Sequence, residues 1–121
     1  MLASEILHEA FEILRGGYKG DMGKLVFWSP WCQGVFFKAT GECCLLGAVH
    51  CAAYDDEVLS YADPAKEEAK KNACYFLGEV IAPGSQFEVD IVRWNDDPKR
   101  TLDQVLGVLA AAKALALEAG Q

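Results

Sequence analysis

Apolar residues recur at helical spacing from the start of the chain. Leu2, Ile6, Ala10, Phe11 and Leu14, with Leu7 alongside, make one face, and Glu5, Glu9, Glu12 and Arg15 take the other. This predicts a helix over 3–15, with Ser4 placed to cap it and Gly16-Gly17 to stop it. The next stretch, 16–34, holds five of the eleven glycines plus Pro30, so one regular element cannot fill it. It also carries Phe27, Trp28 and Trp31, which predicts an ordered loop with aromatics turned inward and at most a short strand at 24–28. Val35-Phe36-Phe37-Lys38-Ala39 and Glu42-Cys43-Cys44-Leu45 flank Thr40-Gly41, a small hairpin signal near 35–44.

From Cys43 to Tyr54 there is no formal charge, and a helix apolar on every side belongs in the middle of a core. Asp63-Pro64 opens the next helix as cap and first residue, with Ala65, Ala69, Ala73, Phe76, Leu77 and Val80 on its apolar face. Residues 86–94 alternate like a strand yet also suit a short helix capped by Ser85, and the helix is preferred. Asn95-Asp96-Asp97-Pro98 is turn chemistry. Thr101 and Gln104 form a capping box before the last helix. That helix carries Val105, Leu106, Leu109, Ala112 and Ala116, widened by Val108, Leu115 and Leu117, which implies contact on two sides or with a second copy in a homodimer. The expected fold is mainly α: four or five helices in one domain over 1–121, packed around a central helix at about 44–54, which the first, third and last helices cover.

Composition narrows the function classes. Of 121 residues, 52% are hydrophobic and 24% charged, which excludes a disordered chain. No apolar run approaches the ~18 residues that a membrane span needs. Eleven basic against eighteen acidic residues give −7, the wrong sign for a general nucleic-acid binder. The acidic balance favours a protein partner instead. No basic segment followed by an apolar one opens the chain, so the expected location is cytoplasmic. Five cysteines (32, 43, 44, 51 and 74) are then expected as reduced, buried thiols, with Cys32 in its polar loop the accessible exception.

Three pieces line up: Trp31-Cys32-Gln33-Gly34, then Gly41 with Cys44-Leu45-Leu46-Gly47-Ala48, then Trp94-Asn95-Asp96, Pro98 and Arg100-Thr101. In that order the chain resembles a family of short uncharacterised proteins from actinobacteria, other bacteria and their phages. The resemblance implies a fold and a site region but no reaction. It singles out Gln33, Gly34, Asn95, Asp96, Arg100 and Thr101. Joined by Trp31 and Trp94, the indole, amide, carboxylate and guanidinium groups are what a small polar ligand or a partner would need. The same residues equally suit turn and cap duties.

Other chemistry is thinly signalled. Cys32, His50 and Asn95 follow the chain order of papain-like thiol hydrolases without their flanking signature. No Cys-x-x-Cys pair, P-loop, Rossmann glycine pattern or HExxH occurs, so no metal and no cofactor is expected. The reading is a non-enzymatic binding protein acting on a protein partner, with a small-ligand binder or enzyme built on the Trp/Gln/Asn/Asp/Arg cluster as the alternative.

Overall fold

The computed structural model describes residues 1–21, 24–54, 63–83 and 88–121, and for 17–21 and 24–28 the backbone alone. It is a helical protein: α1 (Ala3–Arg15), a strand pair β1 (Gly17–Asp21) and β2 (Lys24–Trp28), α2 (Leu45–Tyr54), α3 (Pro64–Ile81), α4 (Glu88–Asn95) and α5 (Leu102–Glu118).

The charge-free segment is the central helix, as its composition requires. Leu45, Ala48, Val49, Ala52 and Ala53 of α2 are fully buried, and α1, α3 and α4 pack around it. α1 turns Ile6, Leu7, Ala10 and Leu14 inward, all without exposed surface. α5 packs against both α1 and α3 through Val105, Leu109, Ala112 and Ala116, while Leu115 and Leu117, which widen its apolar stripe, stay exposed. It closes the core through those two helices, whereas direct packing of the last helix on the central one was expected.

Several local signals correspond to bonds. Asp63 accepts from the Ala65 amide at 2.9 Å with Pro64 as the first helical residue. Both halves of the Thr101–Gln104 box form, at 3.3 and 3.1 Å. Thr101→Ala is therefore expected to cost about 1 kcal/mol, read as a lower urea midpoint at unchanged slope. Ser4 departs from its expected role: α1 begins before it, and its hydroxyl donates to the Gln121 carbonyl at 3.1 Å, tying α1 to the chain three residues past the end of α5. Residues 86–94 resolve to helix from Glu88 onward, while the Ser85 cap lies outside the described residues.

The paired strands sit earlier than the Thr40-Gly41 signal. β1 and β2 are antiparallel, with Gly17 opposite Trp28 and Asp21 opposite Lys24. The strand preference of Leu25-Val26-Phe27-Trp28 recruits a glycine-bearing partner that has little preference of its own. The inward packing expected of Phe27 and Trp28 lies outside the described side chains. At 35–44 there is a tight turn in place of a hairpin of strands. Gly41 takes φ 96°, its amide donates to the Lys38 carbonyl at 2.9 Å, and a single antiparallel bridge joins Phe37 to Cys43. The ladder goes no further because α2 begins at Leu45, which leaves the second arm no more extended residues to pair.

Candidate functional site

The six site residues read from the sequence gather where α4 ends. Asn95, the last residue of α4, is fully buried and uses its whole amide. Its Oδ1 accepts from the Trp31 indole N–H at 2.7 Å and from the Leu45 amide at 3.1 Å. Its Nδ2 donates to the Cys32 carbonyl at 3.1 Å and to Asp96 Oδ1 at 3.0 Å. Leu45 opens α2, and the first amides of a helix have no partner within it. One side chain thus serves the start of the central helix, the Trp31 indole and the Cys32 backbone together.

Its neighbours complete the same joint. Gln33 Nε2 donates to the Asn95 carbonyl at 2.9 Å and to the Asp97 carbonyl at 2.7 Å. Asp96 Oδ1 also accepts from the Gly34 amide at 2.9 Å. Arg100 Nε donates to the Trp94 carbonyl at 2.9 Å, and its guanidinium lies 3.8 Å from the centre of the Trp94 ring. The last carbonyls of a helix lack amide partners four residues on, so Arg100 and Gln33 both cap the α4 C-terminus, with the Asp97 amide also on the Trp94 carbonyl at 3.5 Å. The pairing of Arg100 with Asp97 is loose, at 3.9 Å. Trp31 and Trp94 are both partly buried against the core, and Trp31 reaches the residue next to Trp94. The segments converge, with their polar groups directed at one another.

The thiol arrangement does not resemble a catalytic one. Asn95 bonds to the backbone of Cys32, and the Cys32 thiol donates to the Val35 carbonyl at 3.7 Å. Burial, above the other influences, raises the pKa of Cys32, which disfavours the thiolate a nucleophile needs. His50 stands edge-on to Tyr54 and Phe37, with ring centres 4.7 and 6.2 Å away. Burial and the Lys70 charge lower its pKa.

Cys32 is buried, at 7% exposure, where an accessible thiol was expected. The bridge between Trp31 and Cys43 draws the loop onto the core. Burial also pushes Cys43 and Cys74 up to about 12. Cys51 alone of the five is only partly buried. Folded protein is expected to label slowly with a thiol reagent, Cys51 first and the others on denaturation; rapid labelling of three or more sites would contradict this core.

A surface that sequence reasoning missed adjoins this joint. Val35, Phe36 and Phe37 are 48%, 50% and 50% exposed, and Val89 on α4 is 51% exposed. Phe36 stands between two clefts. One, of about 160 Å³, is lined by Phe36, Phe37, Leu46, His50, Lys70 and Glu88. The other, of about 90 Å³, is lined by Gly34, Val35, Phe36, Cys44, Val92 and Asp96. The signal was present as three consecutive large apolar residues, which no half-buried strand can turn to one side.

The family described as one of unknown function, DUF6197, matches residues 3–115. The chain belongs to that family. No curated protein and no solved structure matches it. The DUF6197 match spans α1 through most of α5, so the joint and the apolar run both lie inside the family region. Among the described residues of this DUF6197 chain, no three His, Cys, Asp or Glu gather as metal ligands, and no helix is long and apolar enough to cross a membrane.

Proposed function

We propose that this DUF6197 protein is a non-enzymatic binding protein that engages a protein partner through the exposed Val35-Phe36-Phe37 run. In this reading Trp31, Gln33, Trp94, Asn95, Asp96 and Arg100 serve binding by holding that run in place. The observation that carries it is the exposure of three consecutive large apolar side chains, each about half open to water, on a loop tied down from both ends. Contiguous exposed apolar surface on a small domain marks an interaction site. A loop already fixed in its bound shape loses little entropy on association.

The raised Cys32 pKa supports the non-enzymatic side of the reading. Five free cysteines support a reducing, cytoplasmic setting, and the resemblance supports a bacterial or phage origin. The small-ligand alternative would require polar groups that now bond one another to turn outward. α5 still exposes Leu115 and Leu117, so a homodimer through that face is the second reading; the 35–37 run is favoured because its three exposed apolar side chains are consecutive on a tied loop.

A photoreactive phenylalanine analogue in place of Phe36, in cells that naturally make the protein, tests this. The expected result is one discrete crosslinked protein, lost on adding Phe37→Ser and absent when the analogue replaces Glu9 on the exposed face of α1. No adduct from position 36, or equal adducts from position 9, would refute the reading.

A further inference from the structure

We infer that the partner segment recognised here is a short extended peptide in which one apolar residue is flanked, two positions away on each side, by cationic residues. The inference rests on the binding reading above and deepens it. The two clefts share Phe36 and follow one another along α4 and residues 34–37, and we treat them as one groove. α4 and its continuation contribute Glu88, Val92 and Asp96 to its wall, four residues apart and therefore on one helical face. The Asp96 amide still bonds to the Val92 carbonyl at 2.9 Å, so the helical path reaches it. At a rise of ~1.5 Å per residue, the backbones of Glu88 and Asp96 lie about 12 Å apart. The groove thus has a carboxylate at each end and apolar surface between: Val92 on one wall, Phe36 on the other, Leu46 and Cys44 beneath.

The charges favour cations at both ends. Glu88 is 50% exposed, and its partner Lys70, 3.7 Å away, is only 13% exposed. Lys70 lines the first cleft beside Glu88 and also lies over the Tyr54 ring at 5.9 Å, while the half-exposed Glu88 carboxylate keeps surface open to water. Asp96 accepts both of its bonds on Oδ1, which leaves Oδ2 for a ligand. His50, in the wall of the first cleft, is biased toward its neutral form, so the two clefts together present two carboxylates against the one ammonium of Lys70. The whole chain at −7 attracts a basic segment and repels nucleic acid.

The geometry selects the conformation. An extended chain advances ~3.3 Å per residue and turns alternate side chains to one face. Positions one, three and five of such a segment then span about 13 Å on the groove side, which fits cation, apolar anchor and cation in turn. A helix, with an overall diameter of ~10 Å or more, is too wide for clefts of this size.

The probe is a fluorescein-labelled peptide, Gly-Arg-Ser-Leu-Ser-Arg-Gly with blocked ends, titrated against the full chain by anisotropy at low salt, with amide NMR shifts to locate it. Binding is expected to shift residues 34–37 and α4. Replacing both arginines by glutamate, or the leucine by serine, should weaken it about tenfold or more. Glu88→Gln combined with Asp96→Asn should weaken the arginine peptide about five- to tenfold, since the asparagine keeps the Oδ1 acceptor for Gly34 and Asn95. Glu88→Gln alone, remote from the Asn95 joint, should give a smaller loss and covers the case in which the double variant folds poorly. Arginine and glutamate peptides binding alike, no binding, or shifts confined to other surfaces would each overturn the inference. A crosslink from position 36 that persists beside a failed peptide sinks this inference alone; loss of that crosslink sinks the binding reading itself.

Discussion

Asn95→Ala is expected to destabilise the protein by about 3–5 kcal/mol, a large part of a small domain's margin. The substitution strands three buried or half-buried groups: the Trp31 indole N–H, the Leu45 amide and the Cys32 carbonyl. Each such group left unpaired costs about 1–3 kcal/mol, and the fully buried setting of Asn95 limits rescue by water. Asn95→Asp should also destabilise, because it keeps the acceptors, loses the Nδ2 donor and places a carboxylate in the core. Asp96→Asn preserves the acceptor and should shift the midpoint far less. Urea melts followed by tryptophan fluorescence compare the three. A loss below ~1 kcal/mol for Asn95→Ala would mean that these groups reach solvent and that the joint is open.

Gly47→Ala is expected to destabilise by about 2–3 kcal/mol, against the usual trend in a helix interior, where alanine is better by ~1 kcal/mol. A β-carbon at position 47 would sit 2.5 Å from the Phe36 carbonyl oxygen and 3.2 Å from the β-carbon of Cys43. The Phe36 oxygen is backbone and accepts from the Cys44 amide at 3.0 Å, so retreat breaks a bond of the 36–44 turn. Gly107→Ala provides the opposite sign. Nothing lies within 4 Å of a β-carbon there, and α5 should gain about 0.5–1 kcal/mol. Gly47→Ala should also reduce crosslinking from position 36, because Phe36 must move. Equal and favourable effects at both glycines would show that the 36–37 loop does not press on α2.

The contrast between these sites explains what could be read from the sequence. Asp63-Pro64 and Thr101 with Gln104 were legible because a cap and its target lie within three residues. The central helix was legible because a charge-free run of that length has nowhere else to go. The meeting of residues 31–34 with 94–97 was anticipated from the resemblance and from the cost of leaving two indoles in water. The bonds of Asn95 were not, because they reach positions 31, 32 and 45, and no spacing rule links those residues. Cys32 was misjudged for a related reason: glycine and glutamine beside it imply a polar loop, while its burial comes from Cys43, eleven positions on. Val35-Phe36-Phe37 looked like a strand arm, yet α2 begins at Leu45, so the facing arm is too short and the run has only one pairing position.

Hydrogen exchange at the Trp31 indole and the Leu45 amide tests the central claim, that the Trp/Gln/Asn/Asp/Arg cluster is a closed joint holding a binding loop. Both protons are held by Asn95 Oδ1. The account predicts that in the folded wild-type protein they exchange only with global unfolding, as slowly as the core amides of α2, and that Asn95→Ala brings them close to the rate of an open group. Fast exchange of either proton in the wild-type protein would contradict the account and return the cluster to the small-ligand reading.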